Sequence, residues 1–319
     1  MIAVTQEPCP ACGSPEADLL CTATDRLYRT THRSFRVVVC RCCRLIRLSP
    51  PPTPEELRSY YPEEYWFAPE EGAAGRLEEI YRRLVLRDHL RFVRRALEPA
   101  GVSGLILDVG CGGGLFLRML QERGYRVAGL DFSVDAAILA WRRNRVPTVC
   151  ASLTHAPFPP ASCAAITMFH VLEHLYDPLS YLTAAYELLQ PEGRLILQVP
   201  NAGCWQFLLL GESWSGLDVP RHLVTFRQRD VEVLLDRAGF DVVRIKHFSL
   251  RDNPAGMATS LVPWLDPVAR RVRKLREAPA TRLLKDLLYF GLVCCCLPFT
   301  VLEAACRAGS TIMIEARKK

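Results

Sequence analysis

The sequence lacks an uninterrupted apolar run long enough to cross a bilayer as a helix, which takes about 20 residues. Its longest apolar stretch runs from Leu287 to Leu302, and Pro298 interrupts it. The first ten residues, MIAVTQEPCP, have neither the basic nor the apolar region of a secretory signal. We therefore expect a cytoplasmic protein, in which the 14 cysteines are metal ligands and core thiols rather than disulfides.

No internal repeat is visible, and 319 residues are enough for one full α/β domain and a small extra module. Half of the residues are hydrophobic, so a sizeable core is available. The formal net charge of +6 permits an anionic partner but does not indicate one.

The sequence does contain a strand, glycine turn, helix and second strand between residues 105 and 133. An apolar run, Leu105–Leu107, leads into DVGCGGG at 108–114, and a later apolar run ends in Asp131. Because glycine has no Cβ, the backbone of such a turn can approach a ligand closely. An acid about 20 residues after the turn can accept both hydroxyl hydrogens of a ribose. The unit therefore predicts a nucleoside-containing cofactor.

The turn departs from the dinucleotide pattern G-x-G-x-x-G, because Leu115 stands at the third glycine position. It resembles motif I of the class I S-adenosylmethionine (SAM) methyltransferases. An acid that this family usually has near Ser152, for the adenine amino group, is missing. The resemblance implies a set of SAM-binding residues: Asp108, Gly110, Cys111 and Gly112 beside the methionine, Asp131 at the ribose, Phe132, Ser152 and Leu153 near the adenine, and Phe169 and His170 after the fourth strand.

The later elements follow the order of that fold. Asp177-Pro178 is predicted to begin a helix, because Asp caps the first turn and Pro suits the first helical position. The resemblance covers residues 76–248 and the C-terminal strand. It implies an α/β, Rossmann-like fold with a mainly parallel seven-stranded sheet and helices on both faces. Five further strands are predicted: Val146–Cys150, Ala164–Phe169, a strand starting at Gly193, Asp241–Phe248 and Thr311–Ala316.

The first 48 residues are predicted to be a zinc ribbon. Two C-x-x-C pairs can place four thiolates around one ion, with the strand 33–39 between them. Cys21 with His32, and Cys42, remain alternative ligands. Four thiolates leave no open position, so we interpret the ion as structural. The predicted ligands are Cys9, Cys12, Cys40 and Cys43.

Residues 49–75 are predicted to be a stiff Pro-rich linker and a short helix that close over the site. The helix would begin with the capping box Thr53-Pro54-Glu55-Glu56. A cysteine module, a proline-led helix and tyrosines ahead of a SAM domain resemble bacterial sugar and surface-glycan methyltransferases. In that family the module contributes an aromatic residue to the pocket, which here would be Tyr61 or Tyr65. Packing of the module onto the core is the alternative role for each.

The predicted catalytic residues are His222, Glu173 and His174, which follow strands at the edge where the cofactor binds. A hydroxyl acceptor must lose its proton, and imidazole titrates near working pH, so His222 is the expected general base. The resembling sugar C-methyltransferases carry Glu-His where this chain has Arg221-His222. The difference favours a hydroxyl acceptor over carbon and leaves Arg221 to hold a substrate phosphate or carboxylate.

A divalent metal ion is an alternative use of the same residues. In the ubiquinone-pathway O-methyltransferases and the small-RNA 2′-O-methyltransferases an E-x-x-E-H segment binds such an ion. This chain has His170, Glu173 and His174 at that place, with His222 after the next strand. A bound metal would lower the pKa of the acceptor hydroxyl. In the other interpretation, Glu173 and His174 only order the loop.

Residues 249–308 form an insertion, predicted to be helical, between the last two strands. A basic stretch around 270–276 precedes the apolar stretch 287–302. This pattern is typical of docking on an anionic membrane surface, here through 270–306 at the inner face. A lid over the pocket and a dimer contact are the alternatives.

These observations predict a SAM-dependent methyltransferase that acts on a sugar hydroxyl of a nucleotide sugar or a lipid-linked surface glycan. The methyltransferase domain would comprise residues 76–248 and 309–319. An RNA methyltransferase is one alternative, although the basic residues lack the interleaved aromatics of a nucleic-acid platform. A non-enzymatic SAM-binding scaffold is the other.

Overall fold

A computed structural model gives the fold and describes residues 3–5, 7–62, 73–98 and 103–319. Within these ranges the chain forms a seven-stranded sheet and a five-stranded sheet. The predicted aromatic candidate Tyr65 lies outside the described residues.

The seven-stranded sheet has the strand order β11–β12–β9–β8–β5–β6–β7. Only β12 runs antiparallel to its neighbours, so the predicted class I methyltransferase architecture is confirmed. The strands are β5 (Leu105–Val109), β6 (Arg126–Asp131), β7 (Thr148–Cys150), β8 (Cys163–Phe169), β9 (Leu189–Pro200), β11 (Phe240–Lys246) and β12 (Thr311–Lys318).

Helices cover this sheet, and their starts follow the caps expected from the sequence. The Asp177 carboxylate accepts the Ser180 N–H at 3.1 Å, and Pro178 occupies the first turn of α5. The predicted capping box of α1 is also present, with Thr53 and Glu56 bonded in both directions. The helices from the N-terminus are α1 (Pro54–Ser59), α2 (Ala73–Leu97), α3 (Leu115–Gln121), α4 (Val134–Asn144), α5 (Pro178–Leu188), α6 (Trp205–Leu210) and α7 (Gln228–Arg237).

The N-terminal module is a five-stranded antiparallel sheet, and its fifth strand comes from the large domain. Its strands are β1 (Ala3–Thr5), β2 (Glu16–Thr24), β3 (Ser34–Cys40) and β4 (Ile46–Leu48), and β10 (Val224–Thr225) pairs with β4. The Leu48 N–H donates to the Leu223 carbonyl at 2.9 Å, and the Leu223 N–H donates to the Glu173 carbonyl at 2.8 Å. The module is therefore bonded through the backbone to the segments that carry the predicted catalytic residues.

A buried ion cluster also connects the module to the large domain; we call this contact region the joint. The Arg221 side chain is fully buried and donates to Asp25 at 2.8 Å and to Asp218 at 2.7 Å. It also donates to the Tyr60 carbonyl at 3.3 Å and lies 4.5 Å from the ring centre of Tyr28. The prediction that Arg221 holds a substrate phosphate or carboxylate is wrong, because this side chain is buried between carboxylates of the protein itself.

The insertion forms three helices, α8 (Asn253–Leu261), α9 (Pro267–Val272) and α10 (Pro279–Ala305). The expectation that Pro298 interrupts the apolar stretch is wrong, since α10 continues through it. Pro298 lies on the exposed side of the helix, where its missing N–H and its ring disturb one turn without ending the helix. Of the helices in the described residues, α10 is the one long and apolar enough to cross a membrane by length and hydropathy alone.

Replacing Asp25 with asparagine should strongly destabilise the joint, because it leaves Arg221 buried without half of its compensating charge. Removing one partner of a buried ion pair costs about 3–5 kcal/mol. We expect the free energy of unfolding, measured by urea denaturation, to fall by about that amount.

Asp18→Asn is the matched control in the same module. It breaks the 2.7 Å pair with Arg41, whose side chain is 42% exposed, and should change the midpoint of unfolding much less. Equal losses in the two variants would contradict a dominant role for the Arg221 cluster.

Candidate active site

A cavity of about 210 Å³ opens at the carboxyl end of β5. The glycine turn forms one wall, and Glu79, Arg82 and Leu86 of α2 face it. A second cavity, of about 30 Å³, lies between the module and residues 212–219 and is too small for a cofactor. The larger cavity is also lined by Asp108, Phe169 and Arg251.

The glycine turn needs its glycines for two different reasons. Gly110 has φ +71°, and a Cβ there would come within 2.7 Å of a methyl group of Val171. Gly112 has φ +52° with open space around it, so its backbone conformation rather than crowding favours glycine. The Gly112 N–H donates to Asp131 at 2.9 Å. The turn is therefore fixed to the end of β6, as a cofactor that touches both would require.

Asp131 is buried and accepts the Ser133 N–H at 2.9 Å with its other oxygen. Burial raises the pKa of this carboxyl. An ionised carboxylate offers about four acceptor positions, so acceptor capacity remains for a ribose hydroxyl. The predicted role of Asp131 at the ribose is chemically consistent with this position.

Asp108 is also buried and accepts the Thr167 hydroxyl at 2.5 Å. Burial raises its pKa to about 7, and the charge of Asp131 contributes further. A cation in the cavity would favour the ionised form of Asp108. Arg251, which sequence reasoning missed, lies in the same cavity lining and offers a donor for a carboxylate.

The other predicted cofactor residues lie around this region in different environments. Phe132 is 63% exposed, with its ring centre 6.3 Å from that of Tyr61. The Ser152 hydroxyl lies 2.9 Å from the Tyr181 hydroxyl, and Leu153 is buried behind it. Cys111 and Phe169 line the cavity.

The predicted catalytic side chains do come together. One ligand atom each from Glu173, His174 and His222 lies within 4.8 Å of the others. His222 Nδ1 lies 2.8 Å from the Gly216 carbonyl, and His174 Nδ1 lies 3.0 Å from the Arg221 carbonyl. Because a carbonyl only accepts, both rings carry hydrogen on Nδ1 and present the Nε2 lone pair when neutral.

The surroundings of Glu173 and His174 keep both side chains unprotonated near neutral pH. Burial, and then repulsion from His222, lower the pKa of His174 to about 4. Burial alone would raise the pKa of Glu173, but the hydrogen bond and charge of His170 hold it below its usual value. Glu173 Oε2 is buried and has no protein partner among the described residues. Such an atom favours a ligand at this position.

The imidazole of His170 is bonded to the second carboxylate oxygen of Glu173. Its Nδ1 lies 3.1 Å from Glu173 Oε1, and its Nε2 lies 3.6 Å from an Asp252 oxygen and 2.8 Å from Gln198 Nε2. Burial alone would lower the pKa of His170, but the carboxylates of Asp252 and Glu173 raise it to about 9. Sequence reasoning missed Asp252 and Gln198; a glutamine inside the apolar strand LILQVP was the available signal.

The predicted four-cysteine group is also brought together. Cys9 Sγ lies 3.5 Å from Cys43 Sγ, and Cys12 Sγ lies 3.6 Å from Cys40 Sγ. All four sulfurs lie within 4.8 Å of one another. Zinc–sulfur bonds of about 2.3 Å in a tetrahedron separate the sulfurs by about 3.8 Å, so the arrangement fits one zinc ion. Among the described residues, the alternative ligands Cys21, His32 and Cys42 do not belong to the group.

Residues 78–245, just over half of the chain, match a family model described as "Methyltransferase domain". A Mycolicibacterium smegmatis protein named "Probable S-adenosylmethionine-dependent methyltransferase" is 30% identical over 186 residues, which cover 56% of this chain and 61% of that protein. The ubiquinone biosynthesis O-methyltransferase of Pseudomonas paraeruginosa is 29% identical over 141 residues, covering 41% of this chain and 60% of that protein. The chain thus spans about 60% of the length of these relatives.

Among solved structures, the geranyl diphosphate C-methyltransferase of Streptomyces coelicolor has a similar fold. Its crystal structure, in complex with Mg²⁺, geranyl diphosphate and S-adenosyl-L-homocysteine, superposes with a TM-score of 0.53 at 16% identity. The match covers 84% of this chain and all of that one. At this identity the likeness shows the fold alone.

The affinity for SAM should rise with pH near neutrality, because the cation binds better to ionised Asp108, whose pKa is about 7 before binding. From about pH 5.5 to about pH 7.5 the SAM amino group stays largely protonated and the sulfonium keeps its charge. We expect the dissociation constant, measured by calorimetry, to fall by up to about twentyfold over this range.

Asp108→Asn tests the assignment, since it removes the titration and keeps the shape. It should bind SAM more weakly, with an affinity that no longer changes over this range. A pH dependence in this variant equal to that of the native protein would rule out Asp108 as the titrating group.

Proposed function

Because the chain belongs to the methyltransferase domain family, we propose that it transfers the methyl group of SAM to a sugar hydroxyl. The acceptor is a nucleotide sugar or a lipid-linked surface glycan. The observation that carries the proposal is the convergence of Glu173, His174 and His222. Tyr61 links this cluster to the adenine side, since its hydroxyl lies 2.9 Å from His174 Nδ1 and its ring faces Phe132.

The reaction needs an aligned acceptor and a base. The methyl carbon of SAM is activated by its sulfonium, so the enzyme must hold the acceptor oxygen in line and remove its proton. His222 is buried and donates its Nδ1–H to Gly216, which fixes the ring and leaves Nε2 to accept that proton. Glu173, on the other side of the cluster, stabilises the imidazolium that results.

The position of Arg221 supports oxygen rather than carbon as the methylated atom. In the sugar C-methyltransferases that the sequence resembles, a glutamate precedes the histidine. Here Arg221 occupies that position and is bound to Asp25 and Asp218, away from the cluster. O-methylation also agrees with the name of the ubiquinone-pathway relatives, which are O-methyltransferases.

A divalent cation is a second way for the same cluster to activate a hydroxyl. Glu173, His174 and His222 would hold it, and it would lower the pKa of a bound hydroxyl. The donor set fits: both imidazoles donate their other N–H to a backbone carbonyl, which is the usual support of a metal-binding histidine. The unpartnered Glu173 Oε2 would be the third ligand.

Methyl transfer from labelled SAM into a fractionated cell extract should label sugar species and should depend on His222. We expect His222→Ala to lower the rate by about 10²–10⁴-fold, the usual contribution of a general base. His155→Ala, on an exposed histidine outside the cluster, should retain the native rate.

The extract fraction that gains label identifies the class of acceptor, and the metal dependence shows whether the cluster holds a cation. Label in small aqueous species supports a nucleotide sugar, and label in the organic phase supports a lipid-linked glycan. Nuclease-sensitive label would overturn the sugar proposal in favour of RNA, and no His222-dependent label would leave a SAM-binding scaffold. Loss of activity in EDTA that Mg²⁺ or Mn²⁺ restores, together with loss in Glu173→Gln, would assign the cluster to a cation.

We propose further that the four-cysteine group binds one structural zinc ion, for which the sulfur spacing is suitable. Plasma emission analysis of the purified protein should find about one zinc per chain. Cys43→Ser should lose the metal and lower the melting temperature. Cys42→Ser, one residue away and exposed, should keep both. Equal metal content in the two variants would contradict the ligand assignment.

A further inference from the structure

Helix α10 presents an apolar stripe to the outside of the molecule. An 18-residue window of the helix has a mean hydropathy of 1.9, and only 17% of it is buried. No charged residue occurs between Asp286 and Glu303. The stripe repeats at helical spacing over about 27 Å and includes Leu284, Leu287, Leu288, Cys295, Pro298 and Leu302.

The opposite, inner face of α10 carries polar side chains beside its buried and half-buried apolar ones. The Tyr289 hydroxyl lies 2.9 Å from the Thr259 hydroxyl, and Thr300 is fully buried. The Glu303 carboxylate accepts the backbone and side-chain N–H groups of Gln206 at 2.9 and 2.8 Å. A helix on a water-exposed surface normally has the reverse arrangement. The outer face of α10 therefore needs an apolar partner.

The apolar surface extends to the helix that lines the cofactor cavity. Ile80 and Leu84 of α2 are 63% and 51% exposed, one helical turn apart. Tyr81 lies within electrostatic range of Cys294 on α10 and of Arg251 at the cavity. The neighbouring Glu79 and Arg82 line that cavity. The exposed apolar residues of α2 thus lie on the same helix that lines the proposed cofactor cavity.

Charge indicates what kind of partner the surface fits. Residues 270–307 contain eight Lys or Arg and three Asp or Glu. Two of the acids and two of the bases pair with one another, because Arg270 bonds Glu277 and Asp286 and Lys285 bonds Glu277, which leaves six bases and one acid. Arg276 and Arg307, which precede and follow α10 in the chain, are exposed. A second copy of the chain would bring like charges together, whereas an anionic lipid surface would complement them.

We propose that α10, with the exposed residues of α2, docks on an anionic lipid bilayer and lies along its surface. The helix does not span the bilayer, because its polar face is bonded to α8 and α6 and β12 follows it directly into the sheet. Docking would place the cavity entrance at the membrane. If the proposed function is correct, the acceptor is then the lipid-linked glycan rather than the soluble nucleotide sugar.

Flotation of the full-length protein with lipid vesicles, without SAM or acceptor, tests the docking. We expect binding to vesicles of phosphatidylcholine with phosphatidylglycerol, and at least tenfold less binding to phosphatidylcholine alone. Leu284→Glu with Leu287→Glu should abolish binding. Val233→Glu, a 48% exposed apolar position on α7, should bind like the native protein.

Charge reversal by Arg276→Glu with Arg307→Glu leaves the apolar stripe intact and should weaken binding by about tenfold or more, more so at low salt. Native SAM affinity in each variant shows that it is folded. Absence of vesicle binding by the native protein, or a dimer that the Leu284 and Leu287 changes dissociate, would overturn the proposal. Vesicle binding by a protein that labels no sugar would overturn the proposed function and leave the docking intact.

Discussion

The arrangement of the proposed active site depends on the fully buried guanidinium of Arg221. It ties Asp25 of the N-terminal module to Asp218 of the large domain, and its backbone carbonyl receives the Nδ1–H of His174. The next two residues continue the link, since His222 belongs to the cluster and Leu223 bonds both the module and Glu173. One short segment therefore joins the two sheets and sets the orientation of two imidazoles. A small displacement of the module would be transmitted directly to the catalytic cluster.

This connection would let the proposed zinc site support catalysis without touching substrate. The four cysteines lie on the N-terminal loop and at the turn between β3 and β4, and β4 is the strand that pairs with β10. A zinc ion there would stiffen the strand whose end bonds Leu223. Precise placement of a base needs such rigid support, because errors of about 1 Å cost about a hundredfold in rate.

The seven-stranded sheet could be predicted from sequence, because its strands are short apolar runs separated by glycine, proline and capping residues. The same holds for the glycine turn and Asp131, where one local motif carries the chemistry. The role of Arg221 could not, because its partner Asp25 is distant in the sequence and only the folded joint brings them together. Asp252 and Gln198 were missed for the same reason. Pro298 misled because tertiary bonds on both sides of it, at Tyr289 and Glu303, hold the helix in place despite the local cost of a proline.

The orientation of α10 is the reverse of what its sequence pattern predicts for a surface helix, because its leucines face outward. Folding alone would favour the reverse orientation, with the leucines in the core and Tyr289, Thr300 and Glu303 facing water. In the protein, hydroxyls and a carboxylate instead attach the helix, and these directional bonds fix its rotation. Departures of this kind, which natural sequences show chiefly at functional sites, make sense if the leucines are held outward for a partner. Because α2 shares this exposed apolar surface and also lines the cavity, a docked membrane would hold a lipid-linked acceptor close to the proposed active site.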